Sequence, residues 1–344
     1  MKEAFVHPGT KVDIVDSPIP TPNDDQVLIK VIVSGSNPKD WKLPEWTKQP
    51  RNEGDDIAGI VEKVGANVTE FKPGDRVAAF HEMMQPHGSY AEYAIAWAHT
   101  TFHIPKSTTF EEAAAIPLAA MTAAVGLYLR LGLPEPWQQP ATPPPTPLVI
   151  YGAASAVGSY AVQLASRSNI HPLICVAGRG AAHVEALIDR SKGDTIVDYR
   201  QGGDAVVEGI KAALPAGGAQ QLLHAYDAVS DHGSYIQLGS VLAPGGKITL
   251  VLPGKQHDAN MPAHVVQTTT SVGAVHDDAK DFGFVWFRLF ARGLKEGWFK
   301  PQPQEVVPGG LAGVQTALEN LRDGKASAVK YVFRIADTVG AGES

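Results

Sequence analysis

The stretch YGAASAVGSYAVQLA, from Tyr151 to Ala165, carries the pattern that decides the fold. An apolar run enters a turn of small residues spaced as Gly152-x-x-Ser155-x-x-Gly158, and a segment with helical periodicity follows. A strand that enters a helix through such a turn points backbone N–H groups outward at the positive end of the helix, where anions bind. The pattern predicts a turn that binds the pyrophosphate of a dinucleotide, and a structural turn without a ligand is the alternative.

The middle position of this turn holds serine where the dinucleotide fingerprint has glycine. Ser155 and Ala156 are small enough for a pyrophosphate to approach, and the Ser155 hydroxyl can donate to a phosphate oxygen. Gly152 ends the strand, and Gly158 allows the helix to pack closely on it. The predicted phosphate-binding residues are Gly152, Ser155, Ala156 and Val157.

Beyond residue 145 the chain alternates short apolar runs with segments of helical length. The six β-runs are PLVIYGA, HPLICVAG, TIVDYR, LLHAYDAV, GKITLVL and TTTSVGAV. Strands separated by helices predict a parallel sheet with helices on both faces, which is an α/β doubly wound fold. The small-residue turn follows the first of these strands, where a dinucleotide-binding turn belongs.

The end of the second strand, VAGRG at 176–180, indicates which dinucleotide binds. Sites specific for NAD usually carry an acidic residue about 20 residues after the turn, where it binds the ribose hydroxyls. None stands here; Arg179 follows Gly158 by 21 residues, and its planar guanidinium fits a 2′-phosphate. Gly178 and Arg179 are therefore predicted to bind NADPH in preference to NADH. A solvated surface charge is the alternative for Arg179.

The first hundred residues contain short strands between turns and no helical spacing. Runs such as Val27–Gly35 and Ile57–Gly65 predict a small β-barrel. From about Thr108 a Ser/Thr cluster before paired glutamates predicts the start of a helix. Its uncharged stretch, Ala113–Leu129, predicts a buried helix rather than a membrane span. The Pro-rich run Leu133–Pro147 predicts a loop.

Composition limits the classes of function. Of 344 residues, 44% are hydrophobic and 19% are charged, which is typical of a globular protein, and the formal net charge is −7. No basic run and no apolar signal region are present, so neither nucleic acid nor a membrane is an expected partner and the cytoplasm is the expected location. The single cysteine, Cys175, excludes an internal disulfide and a multi-cysteine metal site. No tyrosine precedes a lysine by four positions, so hydride transfer is expected to run without that pair and without a metal.

Four segments resemble the medium-chain dehydrogenase/reductase superfamily, and the likeness extends over nearly the whole chain. They are SGSNPKDWK (34–42), GDDIAGIVEKVGANVTEFKPGDRV (54–77), HGSYAEYA (87–94) and IPLAAMTAAVGLY (116–128). The small-residue turn is similar to that of zinc-free quinone oxidoreductases and trans-acting enoyl reductases, which use NADPH. The resemblance implies three segments: a GroES-like β-barrel catalytic domain at 1–118, a Rossmann NADPH-binding domain at 119–299, and a return to the catalytic domain at 300–344.

The chain departs from the zinc-dependent members of that superfamily. Those members carry a cysteine near Ser36 and Asn37 and a histidine near Asp55, and neither is present here. The four-cysteine lobe that binds structural zinc is also missing. The resemblance therefore implies a reductase without a metal site rather than an alcohol dehydrogenase.

The resemblance also implies cofactor contacts outside the turn. Thr122 is expected to orient the nicotinamide, Tyr199 to join Arg179 at the 2′-phosphate, and Lys330 to reach the pyrophosphate. Leu252, the last residue of the fifth run, completes the predicted cofactor residues. The structural alternatives are a hydroxyl inside a helix for Thr122, an aromatic at a strand end for Tyr199, and an edge charge for Lys330.

Reduction of a polarised C=C bond requires stabilisation of an enolate, and two residues are candidates for this role. Lys42 and Asn37 lie in the segment where zinc-dependent relatives place a cysteine, and they are predicted to polarise the substrate carbonyl. The alternatives are an exposed loop lysine and a turn asparagine. Trp41 and His81 are predicted to line the substrate pocket. Core or dimer packing is expected for Trp286.

These residues predict an NADPH-dependent reductase of an enone, a quinone or an enoyl thioester that acts alone on small molecules. One alternative is a trans-acting enoyl reductase whose substrate arrives on a carrier domain of a polyketide synthase. The other is an NADPH-binding protein with little catalysis. A homodimer is possible in each case.

Overall fold

The computed structural model describes residues 1–138, 145–214 and 221–343. Residues 139–144 of the predicted Pro-rich loop lie outside the described residues. The chain divides into two compact units. Met1–Met121 and Gly273–Ser344 together form the first, here named the split unit, and Thr122–Val272 form the second, the Rossmann unit.

The strands and helices are numbered along the chain. The described strands are β1 (Lys2–Val6), β2 (Val12–Asp16), β3 (Gln26–Gly35), β4 (Asp56–Val64), β5 (Arg76–Phe80), β6 (Tyr93–Trp97), β7 (Thr101–His103), β8 (Leu148–Tyr151), β9 (Leu173–Ala177), β10 (Thr195–Asp198), β11 (His224–Asp227), β12 (Lys247–Leu250), β13 (Val266–Thr269), β14 (Gln304–Val306) and β15 (Lys330–Arg334). The described α-helices are α1 (Lys39–Thr47), α2 (Phe110–Ala113), α3 (Pro117–Ala124), α4 (Ala156–Arg167), α5 (Ala181–Glu185), α6 (Gly203–Ala213), α7 (Ser234–Val241), α8 (Lys255–Asn260), α9 (Lys280–Glu296) and α10 (Val314–Arg322).

The main sheet of the split unit draws strands from both of its chain segments. Among the described residues, seven strands join in the order β14-β15-β3-β4-β5-β7, with β6 paired to β3. The pairs are antiparallel except for β14 with β15. Val27, Ile29 and Val31 alternate along β3 and enter the core of this unit, as the two-residue period of a strand requires. The strand-rich fold expected for the N-terminal part is confirmed.

Helix α9 lies in the split unit, although the sequence assigned residues 119–299 to the Rossmann domain. Phe287 stacks on Phe102 of β7 with ring centroids 5.5 Å apart, and Phe290 stacks on Phe299 at 5.0 Å. These aromatic contacts tie the helix to its own unit. The structural boundary consequently precedes α9 instead of following it.

The Rossmann unit contains the doubly wound sheet. Its described strands are all parallel and follow the order β10-β9-β8-β11-β12-β13. Counted within the unit, this order is 3-2-1-4-5-6, which places a ligand crevice at the carboxyl ends of the first and fourth strands. The predicted fold class is confirmed. The sixth predicted run differs, because the ladder ends where Thr270 N–H donates to Leu250 O and a 3₁₀ turn, Val272–His276, follows.

The apolar helical region Phe110–Arg130 is long and apolar enough to cross a membrane by length and composition alone. In the structure 89% of its most apolar window is buried inside the protein, as in a core helix. Its start carries a capping box: Thr109 Oγ1 accepts the N–H of Glu112 at 3.1 Å, and Glu112 Oε2 accepts the N–H of Thr109 at 2.8 Å. The helix start predicted from the Ser/Thr cluster is confirmed.

Candidate cofactor and catalytic sites

The predicted phosphate-binding turn lies between β8 and α4 of the Rossmann unit. Gly152 adopts φ +75°, and a Cβ there would lie 2.6 Å from Cγ2 of Val229 in the loop after β11. A Cβ on Gly158 would collide with the carbonyl oxygen of Gly152. Backbone conformation and close packing therefore demand glycine at both positions. Ala153 is buried, and residues 154–157 lie half-buried at the N-terminus of α4, where backbone N–H groups attract anions.

Ser155 is the N-cap residue of α4. Its backbone is extended, with φ −68° and ψ 164°, and its Oγ accepts the N–H of Gly158 at 3.0 Å. Capping uses the hydroxyl oxygen as an acceptor, which leaves the O–H able to donate. Ser155 thus starts the helix, a role that the sequence analysis did not propose. Its donation to phosphate stays a prediction.

The ends of β9 and β10 bring three predicted cofactor residues together. A Cβ on Gly178 would lie 2.6–2.9 Å from atoms of the Tyr199 side chain, so Tyr199 covers this glycine. The Tyr199 side chain is 43% exposed and stacks on Tyr151 with ring centroids 6.4 Å apart. Arg179 follows Gly178 directly and is exposed. An arginine and an aromatic ring at the carboxyl edge of the sheet suit a phosphorylated adenosine.

The same edge holds an acidic residue that the sequence analysis missed. Asp198, the last residue of β10, pairs in register with Ala177, two positions before Arg179. Arg200 binds its carboxylate: Nε lies 2.9 Å from Oδ1 and 3.1 Å from Oδ2, and Nη2 lies 2.6 Å from Oδ2. These hydrogen bonds lower the pKa of Asp198 to about 2. The run VDYR carries this acidic residue at the end of the third strand, whereas the usual NAD signal follows the second strand.

Asp227, the last residue of β11, holds the loop that packs on Gly152. Its Oδ1 accepts the N–H groups of Val229 at 3.0 Å and Ser230 at 2.7 Å, and its Oδ2 accepts the Ser234 hydroxyl at 2.6 Å. Burial raises the pKa of this carboxyl, and the three donors oppose that shift. The sequence analysis missed Asp227 too. An acidic residue at the end of a buried strand was the signal that could have found it.

Two further predicted cofactor residues lie in the Rossmann unit. Thr122, in α3, is buried, and its carbonyl oxygen accepts the hydroxyl of Tyr226 at 2.8 Å. Leu252 follows β12 and is half-buried. The N–H of the preceding Val251 donates to Ser230 Oγ at 2.8 Å, which ties this segment to the loop held by Asp227. The cofactor roles of Thr122 and Leu252 stay predictions.

Lys330 and Asn37 meet in the split unit. The Lys330 ammonium donates to Asn37 Oδ1 at 2.7 Å and to Asp56 Oδ2 at 2.6 Å, and Asn37 Nδ2 donates to the same Asp56 oxygen at 2.8 Å. All three side chains are buried. The sequence analysis placed Lys330 at the cofactor and Asn37 at the substrate. In the structure these polar atoms bind one another, because β15 pairs with β3 and brings the two segments together. Their roles toward cofactor and substrate stay predictions.

A buried charge cluster continues from Asn37 and consists of Lys39, Asp40, Glu53 and Asp55. The Lys39 ammonium lies 3.1 Å from Asp40 Oδ1 and 3.2 Å from Glu53 Oε2, and it also contacts the Asp55 carboxylate. Asp40 Oδ2 accepts the N–H of Asn37 at 2.7 Å. Burial alone would lower the pKa of Lys39, but the three carboxylates outweigh burial and raise it. Lys39 is therefore a fixed cation inside this unit.

The carboxyl groups of the charge cluster differ in their acidity. Burial raises the pKa of Asp40 to about 7, and burial also raises the pKa of Glu53. The pKa of Asp55 is lowered: burial opposes ionisation, but Lys39 and His81 outweigh it. The hydroxyl of Tyr90 donates to Asp40 Oδ2 at 2.6 Å. This set of groups can hold a carboxyl proton close to neutral pH.

His81 borders the charge cluster. Its Nδ1 lies 2.8 Å from Asp55 Oδ1, and its Nε2 lies 3.0 Å from the carbonyl oxygen of Pro86. The side chain is buried, and both ring nitrogens face acceptors within the split unit. Its predicted place in a substrate pocket stays a prediction.

Lys42 and Trp41 lie on α1. The Lys42 ammonium is 5.2 Å from the centroid of the Trp41 ring, within cation–π range. Trp41 packs on the core of the split unit, and its indole nitrogen is buried with no hydrogen-bond partner among the described residues. Lys42 is half-buried. Trp286 is fully buried and packs on Phe290, the core role that was expected for it.

The part of the chain that the structure describes was compared with the side-chain groups that bind metals in proteins. Within it, no group of three or more His, Cys, Asp or Glu side chains is arranged to hold a metal ion. Cys175 is fully buried in β9, and burial raises the pKa of its thiol. The ligand sets that zinc takes in proteins are therefore not found among the described residues.

Comparison with known proteins supplies a family context for these sites. Residues 23–106 match the family model of the alcohol dehydrogenase GroES-like domain, which confirms the predicted GroES-like fold. The chain is 53% identical over 316 residues to the trans-enoyl reductase fsr4 of Gibberella fujikuroi. The alignment covers 91% of this chain and 92% of that protein.

Two solved structures share the fold. The quinone oxidoreductase from Coxiella burnetii superimposes with a TM-score of 0.72 at 21% identity, covering 97% of this chain and 99% of that chain. The mycobacterial protein Rv1454c complexed with NADPH superimposes with a TM-score of 0.71 at 22% identity, covering 96% and 99%. At such identities the likeness concerns the fold alone.

Proposed function

Because this chain belongs to the medium-chain dehydrogenase/reductase family, among its trans-enoyl reductases, we propose that it reduces the C=C bond of an enoyl thioester with NADPH and without zinc. It is an enzyme of the enoyl/quinone reductase type. The 53% identity to the trans-enoyl reductase fsr4 over nearly the whole chain carries the proposal. That identity favours the trans-acting alternative over an enzyme that acts alone on small enones or quinones.

The Rossmann unit fits a dinucleotide at the turn after β8. Added side-chain atoms at Gly152 or Gly158 would fill the closely packed turn, and the half-buried Ser155 stands at the N-terminus of α4. Arg179 and Tyr199 would hold the adenosine end, and the guanidinium favours a 2′-phosphate. The mycobacterial protein that shares this fold is complexed with NADPH. When bound, NADPH supplies the hydride.

In the split unit, Lys42 would stabilise the enolate that forms as the double bond is reduced. A lysine ammonium is a compact positive charge, and charge placed where an enolate oxygen develops lowers the barrier of the reaction. Asn37 would be a positioning residue, since its amide is bound by Lys330 and Asp56. This network would fix the segment that leads into α1 and Lys42.

Independence from zinc is supported by the side chains around Asn37. The Lys39 ammonium forms ion pairs with Asp55 and Glu53, so the negative charge of these carboxylates is balanced by a side chain. Metal analysis of the purified protein should find less than one zinc per ten chains by mass spectrometry, a threshold on the order of trace contamination. A stoichiometric zinc that is lost together with activity on chelation would overturn this part of the proposal.

For a trans-enoyl reductase we propose that the substrate arrives on a carrier domain of a polyketide synthase in the cytoplasm. The test compares NADPH oxidation with enoyl pantetheine thioesters, enoyl groups on a carrier domain, small enones and quinones. We expect turnover of both thioesters, with a higher kcat/KM for the carrier-bound form. Turnover confined to free enones or quinones would contradict the substrate class. NADPH binding with no turnover of any compound would favour a cofactor-binding protein with little catalysis.

A further inference from the structure

The carboxyl edge of the Rossmann sheet combines groups with opposite preferences for a dinucleotide. Arg179 offers a cation to a 2′-phosphate, whereas Asp198 offers a carboxylate one strand further along. A carboxylate near the adenosine ribose accepts hydrogen bonds from the 2′- and 3′-hydroxyls and repels a 2′-phosphate, so it selects NADH. Hydrogen bonds from Arg200 hold the pKa of Asp198 down to about 2, so this carboxyl group is ionised at neutral pH.

Arg200 forms hydrogen bonds with both oxygens of the Asp198 carboxylate in a surface ion pair. Its Nε and Nη2 contact both carboxylate oxygens at 2.6–3.1 Å, and its backbone N–H donates to Oδ1 at 2.9 Å. A side-on pair of this kind fixes the orientation of the carboxylate and places a positive charge directly against it. The pair lies at the turn that carries Tyr199, whose ring covers Gly178. It therefore stands beside the residues that would receive the 2′ end of the cofactor.

We propose that Arg200 is a specificity-determining residue that masks the Asp198 carboxylate and so preserves the preference for NADPH that Arg179 creates. This inference rests on the proposed use of NADPH. Arg200 acts through Asp198 in this arrangement and need not touch the cofactor. Without the Arg200 side chain, Asp198 Oδ2 would lose its donors and Oδ1 would keep only the backbone N–H of residue 200, so the carboxylate would carry an unbalanced negative charge. The site would then repel the 2′-phosphate and accept ribose hydroxyls.

The test measures dissociation constants for NADPH and NADH by calorimetry on the full chain. The variants are Arg200→Gln, Asp198→Asn and the double variant, and asparagine retains the capping oxygen at position 198. The matched control is Arg190→Gln, because Arg190 pairs with Glu185 and binds Thr195 at the opposite end of β10. Thermal unfolding of each variant reports whether the fold is intact.

We expect Arg200→Gln to bind NADPH about tenfold more weakly, which is about 1.4 kcal/mol, and NADH at least as well as the wild type. The double variant should recover NADPH affinity to within about threefold, because no bare carboxylate is left. Asp198→Asn alone should keep or increase the preference for NADPH. Arg190→Gln should leave both constants unchanged.

Three outcomes would overturn the inference. Equal weakening of both cofactors by Arg200→Gln would show a structural role. A double variant that binds NADPH as weakly as Arg200→Gln would show that Arg200 contacts the phosphate itself. An Arg200→Gln variant that binds both cofactors like the wild type would show that Asp198 does not sense the 2′ position. If the wild type itself binds NADPH and NADH equally, the proposed cofactor fails, and the inference falls with it.

Discussion

Arg179 is the residue on which the proposed cofactor choice depends most directly. Arg179→Ala removes a hydrogen-bonding cation, and bonds to charged groups are worth about 1.5–3 kcal/mol. NADPH should therefore bind about 10- to 100-fold more weakly by calorimetry, while NADH changes by less than about threefold. Equal losses for the two cofactors would refute a contact with the 2′-phosphate.

Lys42 is the residue on which the proposed chemistry depends. Lys42→Met should lower kcat for an enoyl thioester by about 10²- to 10³-fold, the usual cost of removing one group that stabilises an oxyanion. NADPH affinity and the unfolding midpoint should stay near the wild-type values. Lys48→Met is a matched control, because Lys48 caps the same helix from an exposed position. A variant at position 42 with kcat within twofold of wild type would exclude the role.

At the scale of single residues, the cofactor site was more predictable than the catalytic segment. Gly152 and Ser155 act through their own backbone conformation and size, which short sequence patterns record. The sequence did not single out Lys39, because the carboxylates of Glu53 and Asp55 reach it only in the folded chain. Asn37 depends on Lys330, nearly three hundred positions away, so no local pattern could reveal the contact.

In helix α4, the Ser155 side chain caps the helix and is also predicted to bind the cofactor phosphate. Ser155→Ala removes the N-cap acceptor of the helix and should cost about 1 kcal/mol of unfolding free energy, whereas Ser155→Gly should cost only a few tenths. Both variants lose the hydroxyl and should weaken NADPH to a similar extent, about tenfold. Urea unfolding and calorimetry separate the two effects.

The control for this helix is Ser166→Ala, near the opposite end of α4. It should change neither NADPH affinity nor the start of the helix. If Ser155→Gly binds NADPH like the wild type, the hydroxyl does not contact the phosphate, and its part in the structure is confined to capping.

Helices and strands were predicted well where the spacing of apolar residues and the turn residues indicate the same structure. The parallel strands of the Rossmann unit and the capped start of α2 follow from apolar runs and from the Thr109–Glu112 pair. The assignment of α9 could not be made in this way. Its apolar face shows that it packs, but the aromatic partners Phe102 and Phe299 are revealed only by the fold.

The unfolding free energy of the whole molecule should depend on pH because of the buried charge cluster. The pKa of Asp40 is about 7 in the folded protein, against about 3.9 in an unfolded chain. Between these values the folded state holds a proton that the unfolded state lacks, so this group stabilises the fold fully below about pH 4. Its contribution decreases as pH rises to about 7, by at most about 1.4 kcal/mol per pH unit.

Asp40→Asn should remove the pH-dependent contribution of this carboxyl group to the unfolding free energy. The unfolding free energy of the wild type, from urea titrations between pH 4.5 and 7.5, should decrease more steeply with pH than that of the variant. Glu53→Gln should act in the same direction, because burial raises that pKa as well. The exposed Asp24→Asn serves as the control and should leave the slope unchanged. Parallel slopes for Asp40→Asn and wild type would contradict a raised pKa at position 40.

The pairing of β15 with β3 determines when the main sheet of the split unit can be completed during synthesis. Val332 lies opposite Gly35, so this end of β3 stays unpaired along that edge until Val332 has left the ribosome. At ordinary translation rates this delay lasts roughly 15 to 60 s, whereas the continuous Rossmann unit can fold as it emerges. During that interval the nascent chain exposes an unpaired strand and Asp56 lacks the Lys330 ammonium, which makes this period a natural point for chaperone binding.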